Sequence, residues 1–131
     1  MQDFCAPALC DDESYSKESA LWKWQENLTE ASVKLGRPLN TPPNYKRWME
    51  EIGLVNVEEV VYKWPTNTWP KDQHYKVLGA WQHINVMEGL QGFTMALFTR
   101  VLGWSKEEVE VFLTEVRNDM RNKAIHAYWN V

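Results

Sequence analysis

The stretch Leu78–Trp104 (LGAWQHINVMEGLQGFTMALFTRVLGW) contains no proline and is apolar along most of its length. Such a run predicts one long helix, and a helix that apolar must bury much of its surface against the rest of the chain. Its few polar residues sit oddly for a buried element: Asn85 and Glu88 lie three apart, with Gly89 and Gly92 beside them. Each glycine costs about 1 kcal/mol against alanine in a helix interior, so the pair marks either a break or a close approach by a backbone or ligand. Two readings follow. The stretch is a core helix whose polar groups are satisfied, or it is the wall of a small-molecule pocket.

A chain of 131 residues with 44% hydrophobic and 24% charged residues is one soluble globular domain, residues 1–131. Its eight tryptophans form either a core of bulky plates or surfaces that hold aromatic or polycyclic ligands. Net charge is −4, with acid concentrated early in Asp3, Asp11, Asp12, Glu13 and Glu18. That excludes nucleic acid and anionic membrane as main partners, because phosphate binding needs clustered Lys and Arg. Two cysteines, Cys5 and Cys10, are too few for a disulfide scaffold; they either bridge or stay free, and no Cys/His spacing suggests a metal site. No apolar leader or membrane-length run is present, and the Asn27-Leu28-Thr29 sequon falls inside a helical pattern, so the expected location is cytoplasmic.

Residues 1–13 read as irregular. From about Ser16 to Leu35 the apolar positions Leu21, Trp24, Leu28, Ala31 and Leu35 recur at helical steps, stopped by Gly36 and Pro38. A short helix is expected over Asn44–Ile52, ended by Gly53. Val55–Trp64 (VNVEEVVYKW) is β-branched and aromatic up to Pro65, which makes it the main expected strand. Asp72 can cap the long helix, which begins near Tyr75 and ends at Gly103. Ser105-Lys-Glu-Glu108 is a capping box for a last helix with the stripe Val109, Phe112, Leu113, Val116 and Met120. Ile125–Val131 looks like a short second strand. The expected class is therefore α+β and mostly helical, with about four helices. Val55–Trp64 needs a partner, either Ile125–Val131 or the same strand of another copy, and this leads to the expectation of a homo-oligomer, a dimer in the first instance.

Several segments carry a resemblance: Gln2-Asp3-Phe4 with Asp11-Asp12, WQENLTEASVKLGRP, YKRWMEEIGLVNVEEVVYKWPTNTWPKD, EGLQGF, ALFTRVLGWSKEEVEVFLTEVRND and IHAYW. In that order they resemble the C-terminal portion of fungal LaeA-like, TAM-domain class I S-adenosylmethionine-dependent methyltransferases. The resemblance implies a chain that begins where the family's fifth strand ends and stops where its last strand starts, with Asn130 where the family has proline. It also implies loss of the cofactor-binding half, since no glycine-rich turn of the phosphate- or dinucleotide-cradling kind occurs among the six glycines. No cofactor and no metal are expected.

What remains is the part that shapes the family's substrate pocket. The expected function is a methyl-donor-independent cyclase or isomerase acting on a polyketide- or terpenoid-derived intermediate of fungal natural-product biosynthesis; the alternative is a non-catalytic partner subunit derived from a methyltransferase. Such chemistry needs a shaped apolar cavity and one or two proton-transfer groups. Glu88, His74 and His126 are the candidate catalytic residues, and Trp81, Asn85, Gly92, Trp69 and Tyr128 the candidate substrate-binding ones. Each has a plain structural reading beside it. Glu88 can pair with Arg100 or Arg47, His74 can sit in solvent, and His126 and Tyr128 can alternate with Ala127 and Trp129 so that one pair packs in the core.

Overall fold

A computed structural model describes all residues from Met1 to Val131. In chain order the elements are β1 (Cys5–Leu9), α1 (Ala20–Lys34), a 3-10 turn (Pro42–Asn44), α2 (Tyr45–Glu51), β2 (Lys63–Pro65), α3 (Gln73–Arg100), α4 (Lys106–Arg121) and β3 (Tyr128–Asn130). The sheet has the order β1-β3-β2 with both pairings antiparallel, so the last strand is the central one. The class is α+β and mostly helical, as the residue pattern implies. No helix is long and apolar enough to cross a membrane.

Local chemistry sets the helix ends. Ser19 accepts from the Trp22 amide to start α1, and Asp72 accepts from the Tyr75 amide to start α3. Ser105 and Glu108 satisfy each other's amides in a complete capping box for α4. Gly36, Gly53 and Gly103 take positive φ angles past helix ends, where a β-carbon would strain the backbone. α1, α3 and α4 pack on one another, α1 also meets β1, and α3 meets β2. Leu21, Trp24 and Leu28 of α1 enclose a core with Leu90 and Phe98 of α3 and Val109, Leu113, Val116 and Met120 of α4. Ala127 and Trp129 close it from the chain's last segment.

Three expectations change. Residues 1–13 are not irregular throughout: Cys5–Leu9 is an edge strand, held by pairing with a segment more than a hundred residues away. The expected strand Val55–Trp64 shrinks to Lys63–Pro65, preceded by one more backbone-paired residue, Tyr62. Val55–Val61 makes no backbone–backbone hydrogen bond. The expected strand Ile125–Val131 is regular only over Tyr128–Asn130, although Ile125 and Ala127 are buried. Of the two partners considered for the main strand, the chain's own last segment supplies the pairing, and the sheet forms within one chain.

The glycines of the long helix also read differently. α3 runs unbroken through Gly89 and Gly92; a β-carbon at Gly92 would meet nothing within 4 Å, and one at Gly89 would meet only the Phe93 side chain of the next turn. The close approach is at Gly79, where a β-carbon would lie 2.0 Å from the Asn67 carbonyl oxygen. Asn67 is fixed there because its side chain donates to the carbonyls of Met120 (2.9 Å) and Asn122 (3.2 Å) and accepts from the Trp69 amide (2.9 Å). Gly79→Ala is therefore expected to cost about 1–3 kcal/mol or more through backbone displacement. Gly92→Ala is expected to gain up to about 1 kcal/mol from helix propensity. Urea unfolding of both variants measures the contrast, and equal effects would contradict this packing.

Candidate functional site

Two adjacent carboxylates in the turn after β1 organise a polar cluster. Asp11 accepts from the Tyr128 hydroxyl (2.7 Å) and from the Lys63 ammonium (2.5 Å), and that ammonium lies 4.5 Å from the centre of the Tyr128 ring. Asp12 accepts from the Ser14 amide (3.1 Å) and the Cys10 thiol (3.1 Å), and its other oxygen meets Nδ1 of His126 in a short hydrogen bond. The Ser14 hydroxyl accepts from the His126 backbone amide (2.8 Å), so the histidine is held at both its main chain and its ring. Trp69 lies against that ring, with centroids 4.8 Å apart and planes at 31°. Its own indole N–H donates to the Ala127 carbonyl (2.9 Å), which fixes the plate in place.

The electrostatics follow from these bonds. Hydrogen bonds from His126 first, then from Ser14 and Cys10, hold the Asp12 carboxyl well below the usual carboxylate range. Asp11 is likewise lowered, by Lys63 and then Tyr128, while the Lys63 ammonium is raised by Asp11. Burial and the bond to Asp11 raise the Tyr128 phenol. A carboxylate that stays ionised accepts only, so Nδ1 of His126 must carry the proton in the Asp12 bond. Nε2 makes no hydrogen bond to the protein. The ring is thus oriented and fixed in one tautomer, with its second nitrogen unpaired within the protein.

Of the residues nominated from sequence, the fold brings His126, Trp69 and Tyr128 into this one cluster. Ala127 and Trp129 join the hydrophobic core, Tyr128 is buried as well, and His126 is half-buried. Trp81, Asn85, Glu88 and Gly92 share a different place, the outward face of α3, where all four are exposed. Glu88 makes no salt bridge; Arg47 instead pairs with Glu51 at 3.6 Å. His74 is exposed in the first turn of α3, edge-on to its neighbour Tyr75. No hydrogen bond or ring contact joins the α3 group to the cluster. Asp11, Asp12, Ser14 and Lys63 were not nominated, since Asp11 and Asp12 lie 117 and 114 residues from the aromatic and imidazole groups they hold. The Asp11-Asp12 pair was visible only as part of the resemblance.

Comparison with known proteins bears directly on the family. The chain is 40% identical over 131 residues to the probable methyltransferase tdiE of Emericella nidulans, covering all of this chain and 41% of that protein. It is 34% identical over 120 residues to the methyltransferase pytC of Aspergillus terreus, covering 92% of this chain and 37% of that one. The secondary metabolism regulator laeA of Monascus pilosus is 32% identical over 120 residues, with 91% of this chain and 32% of the relative covered. This chain is homologous to part of the fungal LaeA-like methyltransferases. It spans about two fifths or less of the length of these curated relatives. No family model matches the chain, and no solved structure matches it. Within this LaeA-like segment, Asp11, Asp12 and Ser14 tie the first strand's turn to the last strand and the histidine.

The lowered aspartates make stability depend on pH in a defined direction. A carboxyl whose folded value lies below its unfolded value of about 4 contributes stability that is fully present above that value. The contribution is lost as pH falls toward the folded value. The midpoint of thermal unfolding is expected to drop between about pH 5 and pH 3, and the double variant Asp11→Asn, Asp12→Asn should flatten that drop. A variant that falls as steeply as the parent would assign the acid sensitivity elsewhere.

Proposed function

We propose that this LaeA-like segment serves fungal natural-product biosynthesis as a methyl-donor-independent cyclase or isomerase on a polyketide- or terpenoid-derived intermediate, acting in the cytoplasm. The observation that carries the reading is the His126 imidazole, anchored on Nδ1 by an ionised Asp12, backed by the Trp69 plate and free at Nε2. A proton shift needs one group that accepts a proton from a carbon or hydroxyl and returns it at another atom; it needs no net electron transfer and no methyl donor. An imidazole held in one tautomer suits that task, because each proton leaves and returns through the same nitrogen. The Tyr128 phenol donates its one proton to Asp11, which leaves its oxygen to accept from a substrate hydroxyl beside it. The relatives' names, methyltransferase and secondary metabolism regulator, support a natural-product setting and say nothing of cyclisation.

A second reading has its own observation. Trp81 is 69% exposed on the outward face of α3, and Val77 and Ile84 on the same face are about half exposed. Large apolar side chains left in water along one helix support a partner subunit, docking on a complete methyltransferase or a second copy of this chain. One experiment separates the readings. In a fungal strain that makes the pathway product, the chain would be replaced by His126→Gln or by Trp81→Ser, with product measured by mass spectrometry and partners by co-purification. The catalytic reading expects product to fall at least tenfold with His126→Gln and to survive Trp81→Ser. The partner reading expects the reverse, with loss of the co-purified protein. Titration with S-adenosylmethionine should give no binding heat under either, and a saturable heat would sink both.

A further inference from the structure

The outward face of α3 is complementary to itself. At 3.6 residues per turn, Val77, Trp81, Asn85, Glu88, Gly92 and Ala96 fall on one stripe about 120° wide, and all six are exposed. They form three pairs about a single midpoint, between Val86 and Met87: Asn85 with Glu88, Trp81 with Gly92, and Val77 with Ala96. Two copies of the helix laid antiparallel about a two-fold axis at that midpoint bring the members of each pair level across the contact, because every residue advances the helix by the same rise. A face that meets an unrelated surface has no need of such a shared centre.

Each pair also matches in shape and chemistry. A β-carbon at Gly92 would meet nothing within 4 Å, so the open surface there has room for the Trp81 indole of the other copy. The side-chain hydrogen bonds of α3 are made by Thr94 and Thr99, and neither Asn85 nor Glu88 has one within the chain. Level with each other across the axis, the Asn85 amide of either copy can donate to the Glu88 carboxylate of the other, a charge-assisted bond formed twice. Val77 and Ala96 put apolar surface at the two outer ends of the stripe. Neither end of the chain takes part: Asp3 accepts from Tyr45, Val131 pairs with Tyr62, and no hydrogen bond joins either to α3.

We propose that α3 is a homodimerisation helix: two copies of this chain pair antiparallel through the stripe, with Trp81 of each seated over Gly92 of the other and Asn85 bonded to Glu88 across the axis. The proposal rests on the partner reading above, naming a second copy as the occupant, and is independent of the proton chemistry at His126. Helices paired this way cross at about 20°, and the absent side chain at Gly92 lets them approach closely. The stripe from Val77 to Ala96 is about 30 Å long. One helix face of that length lies at the small end of specific interfaces, so the dimer dissociates in the micromolar range.

The test is sedimentation equilibrium of the full chain from low micromolar to submillimolar concentration, with far-ultraviolet circular dichroism to confirm that each variant keeps its helices. The parent is expected to pass from monomer to dimer over that range. Asn85→Glu sets carboxylates against each other at the axis and should weaken dimerisation at least tenfold. The double variant Asn85→Glu, Glu88→Asn exchanges the two roles and should restore it to within about threefold of the parent, a rescue that only this register supplies. Gly92→Gln fills the space for the indole and should weaken the dimer at least tenfold. A parent that stays monomeric, an Asn85→Glu variant that dimerises like the parent, or a double variant no tighter than the single one would each overturn the proposal. A monomer that still co-purifies with a complete methyltransferase from the fungus would overturn the second copy and leave the partner reading standing; a monomer without any partner would end both.

Discussion

One buried amide holds the polar half of this molecule together. Gln25 of α1 is 1% exposed, and its carbonyl oxygen accepts at once from the Ala8 amide (2.5 Å) and the Trp129 indole (3.0 Å). Its nitrogen donates to the Tyr15 hydroxyl at 3.2 Å. A side chain taken out of water must recover its hydrogen bonds inside, and here the partners lie on β1, on β3 and on the segment entering α1. The Cys10–Ser14 turn lies between two of those attachments. The position of Asp12 under His126 is therefore a consequence of where Gln25 pins the chain on either side of it. Burial pushes the Tyr15 phenol well above its ordinary range, which keeps it a neutral partner for the amide.

The same amide shapes the sheet's outer edge. On β1, Ala6 and Ala8 donate away from β3, to the Leu39 carbonyl (3.3 Å) and to Gln25 (2.5 Å). An edge strand normally offers its unpaired amides to another chain, and here α1 and the loop after it occupy them. Pro65 has no N–H to offer at the other edge. Met1–Phe4 and Val55–Val61, next to the paired residues, make no backbone–backbone hydrogen bond.

How much was legible in the residues depends on the range of the interaction. Caps are local, so Asp72, the Ser105–Glu108 box and the glycine stops could be read from neighbours alone. The α4 stripe was equally plain, and Val109, Leu113, Val116 and Met120 are all fully buried. In α1 the stripe Leu21, Trp24, Leu28 and Ala31 is buried, while its last member, Leu35, is 56% exposed because the helix has ended. β1 gave no comparable signal: its short Ala-Pro-Ala segment has little β propensity, and pairing across the whole chain overrides that. Val55–Val61 differs in the opposite direction, with high propensity and no backbone hydrogen bond. At the site, single residues such as His126, Trp69 and Tyr128 could be nominated, His126 through the IHAYW motif of the resemblance. The carboxylates that orient them could not, because nothing local distinguishes Asp11 and Asp12 from an ordinary acidic turn.

α3 resolves the question its sequence poses by using different faces for different jobs. Its buried stripe is Gly79, Gln82, Val86, Leu90, Thr94 and Phe98, in which Thr94 accepts from the Trp24 indole (2.8 Å) and donates to the Leu90 carbonyl (2.6 Å). Thr94 is thereby a satisfied polar group of a core helix, while Nδ1 of His83 is buried without a hydrogen-bond partner. Asn85 and Glu88 belong to the opposite face, with Trp81 and Ile84, and that face is neither satisfied internally nor polar throughout. A helix apolar on all sides ordinarily has neighbours on all sides. The neighbours of α3 within this chain are α1, α4 and β2, which cover the first face and leave the second to water. The catalytic and partner readings thus rest on separate elements: the first on a histidine fixed at the sheet, the second on a helix face that the chain's own core does not reach. A substitution on either can be made without disturbing the other, since the core stripe between them contains none of the residues involved.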